Sequence, residues 1–270
     1  MTDTVVIREK RGKIGILTMN RPEKLNTLND DMLVGLYEGI QHFNQDEDVR
    51  VIVLRAAGRA FCAGFDISPR EKPFTTVLDW REHAQLGNRT FFAIWDSKKP
   101  VIASVQGYSM GGGCDLALVC DFTIASEQAI FGEPEIQFGS ASTFVLMPWA
   151  IGMKKVRQVL LTGDRVNAVE AERIGLVTTV VPHDKLDEEV MALAKKLVKI
   201  PVPAMQLNKE AINRSYEIAG LREALLAGQD IFSIVHMSQT SETEEFFAVA
   251  AKDGLSAAFK WRDAKFAGED

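Results

Sequence analysis

Apolar positions along the chain change period several times, and each change marks an element. Val5 to Lys10 and Ile14 to Met19 are strand-like runs separated by Arg11-Gly12, and Arg21-Pro22 ends the second. Met32, Leu33, Leu36, Ile40 and Phe43 recur at helical spacing, which predicts a helix to about Asn44 capped by Asn29 or Asp30. Val51 to Leu54 is apolar at every position, as in a strand covered on both faces, and Val101 to Val105 repeats that pattern. Val77 to Trp95 reads as a helix between them, after a polar loop over 68–77 with two prolines and freedom to move. Further on, Cys114 to Cys120 reads as a buried helix and Phe122 to Ala125 as a short strand. Ser142 to Ile151, Met153 to Thr162 and Val166 to Ile174 are helical by pattern, and Leu176 to Val181 is a strand. Beyond His183 all patterns are helical: 184–199, 204–219, 221–236, 242–252 and a segment near 255–263. An α/β part over 1–200 therefore precedes a helical part over 201–270, with Ile200-Pro201-Val202-Pro203 as the boundary.

Between the strand at 101–105 and the helix at 114–120 lie Gly107, Gly111, Gly112 and Gly113. A strand, a glycine turn and a helix start together present backbone N–H groups with no partner inside the helix. Such a place holds negative charge well, and glycines let a ligand approach the backbone closely. Asp115 sits in the first turn of that helix. Read alone, the stretch is equally a tight structural turn. A second glycine turn, Phe61 to Ile67, can aim the Phe65 N–H into a cleft, and it too has a plain loop as its alternative. Glu133 and Glu135 flank Pro134, which resists a regular helix, so both acids fall on a rigid extended turn. Apolar Ile136 and Phe138 beside them make one of the two a candidate for burial, which would raise its pKa.

Composition narrows the classes. The 270 residues are 46% apolar with a net charge of −6, enough for a full core and the wrong sign for a nucleic-acid binder. The three cysteines, Cys62, Cys114 and Cys120, have neither CxxC nor zinc spacing and read as buried thiols of a cytoplasmic protein. The four histidines are scattered and read as surface or structural, so no metal is expected. No apolar run reaches the ~18 residues that span a membrane.

In order and spacing these pieces resemble the crotonase (enoyl-CoA hydratase/isomerase) superfamily. The residues that carry the resemblance are Arg21-Pro22 with Leu25-Asn26, Phe61 to Ile67, Gly107 to Asp121, Phe131-Gly132 with Pro134-Glu135, Leu161-Thr162-Gly163, and Ala168 through Gly175-Leu176-Val177. The resemblance implies an α/β crotonase-like fold of repeated ββα turns (a spiral core) with a C-terminal helical region that builds homotrimers or homohexamers. It also implies an acyl-CoA thioester as substrate and no further cofactor. Phe65 and Gly112 match the family's two oxyanion-hole N–H donors; Lys24, Leu25, Ala63, Asp66 and Ile67 lie where the family holds coenzyme A. Phe259 and Lys260 are counterparts of residues that the family brings from a neighbouring subunit's last helix. Glu135 matches the second catalytic glutamate of the hydratases, and Asp115, twenty residues earlier, falls where they carry the first. Paired acids across one cleft suit reversible water addition to an enoyl-CoA: Asp115 for the water, Glu135 for the proton.

The chain departs from that pattern in places. Asp115 is one methylene shorter than glutamate, which resembles the family's dienoyl-CoA isomerases. Those carry a further acid eight residues after the second carboxylate, where this chain has Thr143. Gly139-Ser140-Ala141-Ser142-Thr143-Phe144 replaces a Pro- and Gly-rich turn, and Phe65 is bulkier than the family's usual residue. Together these point to a cyclic or branched acyl group. A crotonase-fold isomerase or hydrolase of acyl-CoA is the nearest alternative to a hydratase. A more distant one is a serine hydrolase, because Gly107-Tyr108-Ser109-Met110-Gly111 spells the G-x-S-x-G elbow, with His183 or His236 as base.

Overall fold

The computed structural model of the protein describes residues 4–70, 72–238 and 240–267. The chain runs β1 (Val6–Arg11), β2 (Ile14–Met19), α1 (Asp30–Gln45), β3 (Val51–Ala56), α2 (Val77–Trp95), β4 (Val101–Val105), β5 (Tyr108–Met110), α3 (Gly112–Leu118), β6 (Phe122–Ser126) and β7 (Ile130–Gly132). It continues through α4 (Met147–Ala150), α5 (Met153–Thr162), β8 (Val166–Asn167), α6 (Ala168–Arg173) and β9 (Thr179–Val181). Five helices follow: α7 (Leu186–Val198), α8 (Val202–Ile218), α9 (Leu221–Met237), α10 (Ser241–Asp253) and α11 (Leu255–Phe266). Short 3-10 turns lie at Pro22–Lys24, Pro134–Phe138 and His183–Lys185.

The strands form a six-stranded sheet, β1-β2-β3-β4-β6-β9, and a three-stranded one, β5-β7-β8. Only β1 runs antiparallel in the large sheet. Successive turns of the chain give one strand to each: β4 then β5, β6 then β7. The glycine turns of interest lie where the chain passes from one sheet to the other.

Alternation explains why the central strands read as apolar throughout. Leu17, Met19, Ile52, Leu54, Val101 and Ala103 face one core, with α1, α2 and α3. Their neighbours Ile16, Val51, Val53 and Ile102 face a second core, under α7. Each such side chain, fully buried, contributes ~1.5–3 kcal/mol, so both faces are needed to hold the sheet.

Several expected elements are shorter in the structure. The helix expected from Ser142 forms only over Met147–Ala150, because Pro148 is tolerated only in a first turn. Residues 139–146 therefore run without a helix. The helix expected from Val166 starts at Ala168, where Asn167 Oδ1 accepts from Glu170 N as its cap. Val166 and Asn167 instead pair with β7. The last strand is confined to Thr179–Val181.

In the helical part, α9 packs on α2, and α8 is tied to the core by Lys209 Nζ, 2.6 Å from Asp121 Oδ2. Helices α10 and α11 form a pair over the 134–138 turn, with Phe138, Phe246 and Phe259 in a small aromatic core. Among the described residues no helix is long and apolar enough to cross a membrane.

Candidate active site

Two strained glycines shape the centre of the molecule. Gly111, between β5 and α3, has φ 53 and ψ −130, a conformation that L side chains avoid. Its N–H donates to Gly132 O at 2.8 Å, and its carbonyl accepts from Cys114 N and Asp115 N. This leaves the next N–H, that of Gly112, free at the helix start. Opposite, Gly64 has φ 102, and its carbonyl accepts from Leu28 N while Asp66 N donates to Leu28 O. The residue between them, Phe65, therefore keeps its N–H free as well. Among the described residues neither the Phe65 nor the Gly112 N–H has an acceptor.

Phe65 and Gly112 are in direct contact. A Cβ on Gly112 would lie 2.5 Å from Phe65 Cε2, and one on Gly87 of α2 would lie 2.9 Å from Phe65 Cζ. The ring is thus seated against two bare backbones and meets Phe91 and His83 edge-on. The large side chain at 65 is accommodated by glycines on α2 and α3.

The two acids expected together are together. Asp115 is 3% exposed, and Glu135 lies in the 3-10 turn with its carboxyl against the Gly111 backbone, where any Cβ would collide with Oε1. Burial pushes Glu135 up to about 7. Burial also holds Asp115 well above the carboxylate range, and the Glu135 charge adds to that rise. Ser142 Oγ works against it, donating to Asp115 Oδ2 at 2.9 Å.

Four neighbours had not been read from sequence as parts of this centre. Ser142 belongs to the irregular 139–146 run, whose departure from the family pattern was its only signal. Glu133, one of the two acids flanking Pro134, is 3% exposed, beside Glu135. Arg262 arrives from α11, 5% exposed, stacked 5.0 Å from the Phe259 ring, and its charge offsets part of the rise at Glu135. Ser140 N donates to Glu135 O, and Ser140 Oγ lies 3.1 Å from His236 Nε2. With His236 Nδ1 3.0 Å from Phe232 O, a neutral ring can donate there and accept from Ser140.

Of the residues expected to hold coenzyme A, five lie on two segments that hydrogen-bond to each other, 24–28 and 63–67. Lys24 is exposed at the end of a 3-10 turn; Leu25 follows in the left-handed region, and its carbonyl accepts from Ala63 N at 3.0 Å. Asp66 has its carboxylate 3.1 Å from Arg21 Nη2, so it also serves the loop itself. Ile67 packs with Phe138 and Phe246, and Phe259 joins the same cluster from this chain's own α11. The last helix, expected over a neighbouring subunit, thus packs in this structure on the site of its own chain. Lys260 is exposed.

The G-x-S-x-G reading fails on geometry. Ser109 is fully buried in β5, and its hydroxyl donates to Gly113 O at 3.0 Å. Its proposed bases are engaged elsewhere, His183 with Ser126 and His236 with Ser140. His83 is also internal, pulled down to about 4 by burial and by Arg70.

A sequence model described as enoyl-CoA hydratase/isomerase matches residues 9–253. The chain is similar to a probable enoyl-CoA hydratase of Rhizobium meliloti, 36% identical over 98% of this chain and 99% of that protein. It is 34% identical to a crotonyl-CoA hydratase of Syntrophomonas wolfei over 97% of each. Its fold superimposes on the crystal structure of an enoyl-CoA hydratase/isomerase from Xanthobacter autotrophicus with a TM-score of 0.95, at 36% identity, covering 99% of this chain and 100% of the other. The chain belongs to the enoyl-CoA hydratase/isomerase family and is an enoyl-CoA hydratase-like enzyme.

Proposed function

We propose that the protein adds water reversibly across the α,β double bond of an acyl-CoA thioester, with Asp115 and Glu135 as its acid–base pair. The observation that carries this is a buried Asp115 and a half-buried Glu135 with one enclosed carboxyl oxygen, each close enough for its charge to be felt, beside two backbone N–H groups without acceptors. The Phe65 and Gly112 N–H groups hold the thioester oxygen and stabilise the negative charge that develops there, worth ~3–4 kcal/mol per donor. Asp115, held at Oδ2 by Ser142, takes a proton from water as its oxygen bonds to the β-carbon. Glu135 gives a proton to the α-carbon, so H and OH are added and the acids exchange protonation states until the product leaves. No cofactor is required by this sequence of steps. Lys24, Leu25, Ala63, Asp66 and Ile67 hold the coenzyme A portion, with Phe259 and Lys260 of α11 closing over it.

The test uses crotonyl-CoA with product mass read out: a product heavier by one water is expected. A shifted double bond at unchanged mass would replace this reading with isomerisation, and free coenzyme A with thioester hydrolysis. Because Glu135 acts as an acid, it must be protonated in the free enzyme. With its pKa at about 7, kcat/KM is expected to fall above that pH, and to fall again on the acid side as Asp115, the base, takes up a proton. A profile that keeps rising to pH 9 would reverse the role assigned to Glu135.

Ser142→Ala removes the donor to a buried Asp115. The loss of a hydrogen bond to a charged group, ~1.5–3 kcal/mol, predicts a kcat lower by about tenfold or more, with KM little changed. An unaltered kcat would dissociate Ser142 from the reaction.

The irregular 139–146 run, backed by Phe144 on Phe91 and Phe92 of α2, supports a cyclic or branched acyl group. Exposed apolar residues on the outer helices, Leu207, Ile212 and Ile218 of α8 with Ile231 and Ile234 of α9, support association of 201–270 into a homotrimer or homohexamer. Three free, buried cysteines fit a reducing, cytoplasmic setting.

A further inference from the structure

Glu133 is the buried titratable group that the reaction above does not use. It is 3% exposed, and neither of its carboxyl oxygens has a hydrogen-bond partner. Glu135 Oε2 is also buried and without a partner. The two side chains leave the same short segment on either side of Pro134. Three buried acceptor oxygens without donors on one short segment is a costly arrangement, of the kind native proteins rarely leave uncompensated. A single proton removes most of it. A protonated Glu133 has an O–H to donate, and the nearest orphan acceptor of its own segment is Glu135 Oε2. One hydrogen bond then satisfies an oxygen of each acid, and it becomes of the strong, charge-assisted kind once Glu135 has given up its proton.

The carboxyls around Glu133 favour its neutral form, Asp115 from α3 and Glu135 from its own turn, while the Cys114 thiol of α3 pulls the other way. Arg262 of α11 acts on Glu135. Burial, then the charges of Asp115 and Glu135, push Glu133 well above the carboxylate range. We propose that Glu133 is kept as a neutral carboxylic acid that donates a hydrogen bond to Glu135 Oε2, and that it is thereby the positioning residue that orients and tunes the catalytic carboxyl. No net chemistry is assigned to it: its proton is shared with Glu135 and returns to Glu133 at the end of each turnover. The role of Glu135 in this inference rests on the hydratase reading; the neutral acid itself does not.

The experiment compares the full-length wild type with Glu133→Leu and Glu133→Gln. Infrared spectra without substrate, near neutral pH, are expected to show a carboxylic-acid C=O band in the wild type that Glu133→Gln lacks. Identical spectra would overturn the proposal. The second readout is the pH profile of kcat/KM with crotonyl-CoA. In Glu133→Leu the donor is gone, so the fall with pH is expected to move up by about one pH unit, with kcat about tenfold lower and KM unchanged. Glu133→Gln keeps a donor and is expected to recover most of what Glu133→Leu loses. If Glu133→Leu follows the wild-type profile, or Glu133→Gln shifts as far as Glu133→Leu, the proposal falls. Exchanging a buried carboxyl for an apolar side chain of similar volume is not expected to unfold the protein, which thermal unfolding checks. Should the wild type fail to hydrate crotonyl-CoA, the hydratase reading fails alone, and the infrared comparison still decides whether Glu133 carries the proton.

Discussion

Glu135→Gln is expected to lower kcat for crotonyl-CoA hydration by about 10²–10⁴-fold, the range for removing a positioned general acid. The substitution preserves shape and a polar head, so the fold should be unaffected. What disappears is a group that titrates near neutrality. Glu135 owes its value of about 7 to burial, tempered by Arg262 and by the contact with Glu133. Glutamine in that place neither gives nor takes a proton, and KM should change little because the thioester oxygen is held by Phe65 and Gly112. Steady-state rates beside a matched thermal-unfolding curve make the comparison. A variant retaining more than a tenth of wild-type kcat would remove Glu135 from the reaction and leave Asp115 and Glu133 as the acids of the centre to be considered.

A comparably large loss is expected from a residue with no side chain. Gly111→Ala forces a Cβ onto a backbone at φ 53, ψ −130, a cost of about 1–3 kcal/mol in stability. The new methyl would also occupy the position of Glu135 Oε1. The carboxyl must move, and displacement of a catalytic group on the ångström scale costs about 100-fold in rate. The same glycine receives Asp115 N and Cys114 N at its carbonyl, so α3 and the Gly112 donor are disturbed with it. The measurable signature is a lower Tm together with a kcat drop that exceeds the loss of folded protein. A lower Tm with normal kcat in the folded fraction would mean that the acid has room to shift.

The parts of this centre that were legible in the sequence are local ones. The Gly111-Gly112-Gly113 run, Asp115 behind it and Glu135 after Pro134 are each a few residues from the backbone feature that orients them. The acid pair was legible from its spacing, but whether Glu133 or Glu135 would be buried was not: Glu133 is, and Glu135 is half-buried with its Oε2 enclosed. Their burial is decided by α3 and by α10 and α11, whose distance along the chain no local pattern encodes. Arg262 is the extreme case, since nothing near it in sequence distinguishes it from a surface arginine. The helix expected from Ser142 fails for a different reason: an apolar run there serves a wall that winds irregularly, and Pro148 defers the helix to its own first turn. The strands of the small sheet are two or three residues long, below the length at which alternation can be seen.

The double-faced central strands have a further consequence for how such an enzyme can diverge. In β2, β3 and β4 one side chain serves the core under α1 and α2 and the next serves the core under α7, so these strands offer no silent position. Sequence drift is squeezed out of the sheet. Residues 139–146 carry less of it: they pair with no strand, and besides the buried Thr143, Phe144 and Leu146 and the Ser142 that holds Asp115, their side chains are partly exposed close to the acids. Duplicated genes are therefore free to explore new acyl groups there, one substitution at a time, while the scaffold that aims the two N–H groups stands still.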